Sequence, residues 1–124
     1  MAQSYRELEV WQKAVDLSVL IYKWSEKLPK SELFGLSSQV KRAAVSIPSN
    51  IAEGRYRSTR KDFTQFLRIA YASGAELETQ LEIARRLSFI DELDYNKINS
   101  LLAEIMKMLN VMISRLSEWL KAIS

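Results

Sequence analysis

The chain has 124 residues, enough for one domain with a sizeable buried core. Its 48% hydrophobic and 27% charged residues, with only three Gly and two Pro, fit a compact helical protein rather than a disordered or β-rich one. With no Cys and no His, it has no disulfide, no thiolate nucleophile, and neither the commonest metal ligand nor the commonest general base. The first residues, Met1-Ala2-Gln3-Ser4-Tyr5-Arg6, lack the apolar core of a signal peptide, and no apolar run is long enough to span a bilayer, so a cytoplasmic protein with no membrane partner is expected.

Four helices in one domain, residues 1–124, account for nearly all of the sequence. The first is predicted from about Arg6 to Leu28, because Val10, Ala14, Leu17, Ile21, Trp24 and Leu28 recur at alternating spacings of four and three. Leu8, Trp11 and Val15 form a second stripe beside that seam. Pro29 then stops the helix by removing an amide donor and clashing with the preceding turn.

The second helix is predicted from about Leu36 to Glu53, with Leu36, Val40, Ala43, Ala44, Ile47 and Ile51 on its apolar side and Gly54 as its C-cap. Pro48 falls inside it, which predicts a kink near Ala44 to Pro48 or a division into two short helices. Either shape would present Ser46, Ser49 and Asn50 unusually. With Glu53 they make a polar group whose expected use is to satisfy freed backbone atoms or a subunit contact.

Ser58 is the expected N-cap of the third helix, which runs to about Leu87 on the seam Phe63, Leu67, Ala70, Gly74, Leu77, Leu81, Ala84. Ala70 and Gly74 are small where the other seam residues are large, and Trp11 or Trp24 is the expected filler of the space they leave. Glu76, Glu78 and Glu82 resemble a helical carboxylate metal site only superficially, since the di-iron pattern needs a Glu-x-x-His that this chain lacks.

The fourth helix starts at Asp91, with Glu92 and Asp94 at its positive end. Ile98, Leu102, Ile105, Leu109, Met112, Leu116, Trp119 and Ile123 follow in heptad spacing. Leu101, Met106, Met108, Ile113 and Leu120 widen the apolar arc to roughly 160°, beyond the stripe of about 100° that a core-facing helix needs. Surplus apolar surface on a helix of about 45 Å predicts a homo-oligomer. The expected fold is all-α, an antiparallel up-down-up-down four-helix bundle.

Charge is concentrated in one place. Between Lys41 and Arg68 the chain carries seven Lys or Arg against two acids, while the remainder carries eleven against thirteen. Within that stretch, Arg55-Tyr56-Arg57-Ser58-Thr59-Arg60-Lys61 runs into the start of the third helix, where each exposed cation costs about 0.3–1 kcal/mol against the helix dipole. A bound polyanion offsets that cost. Arg55, Arg57, Arg60 and Lys61 are therefore the expected phosphate contacts, with Lys41, Arg42 and Arg68 in a second tier and Tyr56 as a stacker on an unpaired base. The competing use of the four central cations is pairing with acids of a neighbouring helix or subunit, such as Glu76, Glu78, Asp91 or Asp94. Nothing resembles a base-reading module, and no catalytic constellation, metal site or cofactor site is expected.

Several runs carry a resemblance: Leu8-Glu9-Val10-Trp11-Gln12-Lys13-Ala14, the stretch from Gly35 to Gly54, Phe66-Leu67-Arg68-Ile69-Ala70, and Glu76-Leu77-Glu78-Thr79-Gln80-Leu81. The specific part is Ser46-Ile47-Pro48-Ser49-Asn50-Ile51-Ala52-Glu53-Gly54. Together they resemble the bacterial four-helix bundle family named after proteins encoded in intervening sequences of 23S ribosomal RNA genes. The resemblance implies a homopentameric ring. It also implies kinship with the accessory protein of the reverse transcriptase of diversity-generating retroelements, which engages nucleic acid and its partner through a basic surface. No catalytic residue is carried over. The function expected is non-enzymatic binding of RNA, or of DNA, by a homo-oligomer through a basic band. The alternative is an adaptor whose basic ring docks an acidic protein such as a polymerase or a ribosome-associated factor.

Overall fold

The computed structural model describes residues 4–57 and 59–123. Four helices make up the bundle: α1 (Glu9–Ser25), α2 (Leu36–Tyr56), α3 (Arg60–Arg86) and α4 (Glu92–Ile123). Short 3-10 turns at Tyr5–Glu7 and Lys30–Glu32 precede α1 and α2. Each helix packs on two neighbours, α1 on α2 and α4, and α3 on α2 and α4, while the diagonal pairs make no close backbone approach. That is a square bundle with its core on the shared axis.

The core is built from the seams that periodicity predicts. Leu17, Ile21, Ile47, Ile51, Leu67, Leu77, Leu81, Leu102, Ile105 and Leu109 are all fully buried. Burying each such side chain contributes about 1.5–3 kcal/mol. Two ion pairs fasten the first helix and the turn after it to the last helix: Lys13 Nζ with Glu104 Oε1 and Lys27 Nζ with Asp94 Oδ2, both at 2.8 Å.

Several boundaries differ from the sequence reading for identifiable reasons. α1 ends at Ser25, before Leu28, although Leu28 is still buried. α2 passes through Pro48 as one helix rather than two. Proline offers no N–H to the carbonyl four residues earlier, and here the Ser18 hydroxyl of α1 reaches that Ala44 oxygen at 3.2 Å, sharing its proton with Ala14 O at 3.1 Å.

Gly54 is not the C-cap of α2. It lies within the buried face of the last turn, and the helix ends at Tyr56 with Arg57 as cap. A Cβ at position 54 would stand 2.5 Å from Phe66 Cβ and 3.1 Å from Phe63 Cδ1, so only glycine lets α3 come this close. At Gly74 the neighbour is Met106, not a tryptophan. Trp11 instead packs edge-on against Tyr5, and the Trp24 indole donates to Phe89 O at 3.3 Å.

The cap expected at Ser58 lies outside the described residues; the observed N-cap of α3 is Thr59, whose Oγ1 accepts Asp62 N–H at 3.1 Å. Asp91 stands just ahead of α4, accepting Asp94 N–H at 2.7 Å. The polar group around Pro48 is used structurally. Ser46 Oγ and Ser73 Oγ are 2.8 Å apart, joining α2 to α3, and Asn50 Nδ2 donates to Ser46 O and Oγ. Ser49 is exposed, and Glu53 pairs with Arg57.

The seam of α4 outruns the core. Leu109 is its last buried residue; Met112, Ile113, Leu116 and Leu120 are half-buried, and Trp119 and Ile123 are exposed. Of the residues expected to widen the apolar arc, Met106 is buried, Leu101, Met108 and Ile113 pack half-buried against the core and Leu120 is half-buried, so no apolar face is left over along the whole helix. The exposed part of the seam is confined to its last turns, at the end of the bundle where α2 stops and α3 begins.

Candidate nucleic-acid interface

Three helix ends meet where the basic cluster lies. Arg55 and Tyr56 belong to the last turn of α2 and Arg57 caps it, so the first two arginines sit at the negative end of a helix dipole, where cations stabilise. Only Arg60 and Lys61 occupy the first turn of α3 and oppose its dipole, with Asp62 beside them as partial compensation. The electrostatic cost inferred from sequence therefore applies to two cations rather than four.

Each of the three arginines rests against an aromatic face. The guanidinium carbon of Arg55 is 5.7 Å from the Phe63 ring centre, that of Arg57 is 5.1 Å from Phe66, and that of Arg60 is 4.1 Å from Trp119. Such stacking contributes about 0.5–1 kcal/mol at exposed sites and holds the guanidinium plane in a fixed direction. The three differ in what remains available. Arg55 has a buried Nε with no hydrogen-bond partner, and Arg57 is ion-paired to Glu53 at 2.9 Å. Among the described residues, no carboxylate pairs with Arg60.

Lys61 and Arg68 face a different wall. With Thr64, Ser117, Leu120 and Lys121 they line a groove of about 400 Å³ between the start of α3 and the end of α4. Arg68 donates to Ser117 Oγ at 3.0 Å, which aims its guanidinium along this groove. The described residues lining it include three cations and no acid. Tyr56 stands at the corner, 86% exposed, with its ring open to solvent.

Lys41 and Arg42 are not part of this surface. They precede Arg55 by about 20 Å along α2 at 1.5 Å per residue. Lys41 sits 5.3 Å from the Tyr22 ring centre, and both line a groove between α1 and α2. Of the acids weighed as partners for the cluster, Asp94 is taken by Lys27. Ser117, Trp119 and Lys121 are absent from the sequence-derived site. The only signal for them was the heptad seam of α4 continuing past the length that α1 can cover.

Among the described residues, no group of three or more Asp or Glu side chains could hold a metal ion, and no helix is long and apolar enough to cross a membrane.

Residues 6–111 match the family described as 23S rRNA-intervening sequence protein. The chain belongs to that family. A crystal structure of a protein with unknown function from the S23 ribosomal protein family of Bacteroides thetaiotaomicron VPI-5482 is similar to this family member at 32% identity and a TM-score of 0.79. The similarity covers 84% of this chain and 97% of that one. No curated protein matches it in sequence. The family match stops at residue 111, so the α4 residues that complete the basic groove lie beyond it.

Proposed function

We propose that this family member is a non-enzymatic, homo-oligomeric, cytoplasmic nucleic-acid-binding protein that grips phosphates, preferring RNA, with the pentameric ring that its resemblance implies. The observation that carries this reading is the α3/α4 groove, where Lys61 and Arg68 converge and Arg60 stacks on Trp119 beside it. A ring multiplies such a site. Several copies neutralising phosphates on one strand release counterions together, which raises affinity and makes it steeply salt-dependent. Arg55, Arg57 and Tyr56 extend the surface around the corner of the bundle, with the tyrosine ring offered to an unpaired base. Lys41 and Arg42 belong to a separate surface. The accessory protein of diversity-generating retroelements supplies the parallel of a basic face engaging nucleic acid beside a polymerase.

The test is an Arg60/Lys61/Arg68→Ala variant measured against a fluorescent RNA. We expect at least a tenfold loss of affinity and a salt slope shallower by about two to three, roughly one unit per phosphate contact removed, with helicity unchanged. Full affinity in the folded variant would refute the assignment. Capture of an acidic protein that survives nuclease treatment would favour the adaptor reading in its place.

A further inference from the structure

Two apolar surfaces lie away from the basic end. The first is a groove between α1 and α2 made of two adjoining hollows of about 650 and 440 Å³, both walled by Tyr22 and Val45. Val15, Val19 and Pro48 line one hollow and Leu33 and Phe34 the other, with Lys23, Lys41 and Arg42 along the groove against one acid, Glu26. Phe34 is 92% exposed and Val19 and Tyr22 are each 48% exposed. The second is a stripe on α3: Ile69, Ala72, Glu76, Thr79 and Ile83, all exposed, at spacings of three and four. Leu87 continues it one turn further. The apolar members of the stripe, Ile69, Ala72, Ile83 and Leu87, flank Glu76 and Thr79 at its middle; exposed apolar surface such as the groove is uncommon on a monomer and marks an interaction site.

The internal register of the bundle sets the two surfaces at the same height. Ser46 meets Ser73 across α2 and α3, and Ser18 meets Ala44 across α1 and α2. Because α2 and α3 run in opposite directions, Glu76 is level with Ala43 and its neighbour Arg42, and Ile83 is level with Leu36. By the same count along α1, Val19 and Tyr22 fall beside Ala43 and Val40. The stripe and the groove therefore run side by side along the bundle axis, at one level and over matching lengths. Their charges are complementary there: Glu76 has no ion-pair partner among the described residues, and it stands level with the cations of the groove.

We infer that the homo-oligomer of the proposed function forms by a heterologous contact, in which the α3 stripe of one copy packs into the α1/α2 groove of the next and Glu76 meets Arg42 or Lys41. The inference rests on that reading only for the existence of an oligomer. Surfaces at equal height are related by rotation without translation, which closes a ring instead of growing a helical filament. Groove and stripe lie on adjacent sides of a square bundle, at roughly a right angle, and wedges of that angle close after about four to six copies. Every copy points the same way, so all the Arg55 to Lys61 clusters fall on one rim of the ring.

The experiment uses two single variants of the full chain, Val19→Glu in the groove and Ile83→Glu on the stripe. Both sites are exposed in the single chain, so both variants should keep wild-type helicity. Light scattering should show the wild type as an oligomer and each variant as a monomer of 14.3 kDa. Mixing the two should give a dimer and nothing larger, because one intact stripe then meets one intact groove. A monomeric wild type would overturn the inference together with the oligomer of the proposed function. Wild-type mass in either variant, or a mixture that stays monomeric, would overturn the inference alone and leave that reading standing.

Discussion

Glycine at position 54 shows how much one residue's size decides at the basic end of the molecule. It sits where α2 and α3 touch, and the nearest atom to any added Cβ is Phe66 Cβ, which is fixed to the α3 backbone and cannot swing aside. Gly54→Ala should therefore cost about 1–3 kcal/mol, despite the gain in helix propensity, because the two helices must part. Gly74→Ala should cost less, since the side chain in its way is Met106, which has three rotatable bonds. Urea denaturation of both variants checks the order, and equal losses would contradict it. Phe66 also carries Arg57 on its ring, so the same close approach helps set the direction of a cation in the proposed site.

At the scale of the helices, the seams were legible because burial in a bundle repeats with the helical period, and every buried residue of α1 from Val10 to Trp24 lies where that period puts it. The exceptions depended on partners far away in sequence. Pro48 does not divide α2 because Ser18, thirty residues earlier, supplies the hydrogen bond that the proline withholds. Ser18→Ala should cost about 1 kcal/mol in the wild type and distinctly less when Pro48 is replaced by Ala, which restores the backbone donor. A thermodynamic cycle on the four proteins measures this, and strict additivity would refute it. The site was half legible for the same reason. Arg55, Arg57, Arg60 and Lys61 stand out as local composition, but that Trp119 lies under Arg60 and Lys121 beside Lys61 follows only from the packing of α4 on α3. Lys41 and Arg42 are near the cluster in sequence, yet thirteen or more residues of helix hold them apart from it.

At the scale of the whole molecule, Lys13 and Lys27 tie the first helix and the turn after it to the last helix, and these two pairs depend on the lysines staying protonated. The hydrogen bond from Lys13 to Glu104 holds the lysine above its ordinary value of 10.5, with attraction to the same carboxylate adding to it and desolvation opposing. Lys27 is raised in the same way, first by its hydrogen bond to Asp94 and then by that charge. The native state holds these protons more tightly than the unfolded chain. Their contribution is thus complete below about pH 10.5 and is lost as the pH rises through the higher native values. Denaturation midpoints should fall as the pH rises above about 10.5, and a Lys13/Lys27→Met variant should show a flatter decline there. An identical decline in the variant would assign the alkaline loss to other groups.

Binding of RNA through a basic rim is the claim on which the functional reading depends, and the affinity of the intact protein for a fluorescent RNA at two salt concentrations tests it most directly. We expect tight binding at about 50 mM salt that weakens at least tenfold by about 200 mM, as release of counterions from several phosphates requires. Absence of binding at the lower salt, or an affinity indifferent to salt, would contradict it and turn the basic rim toward a protein partner.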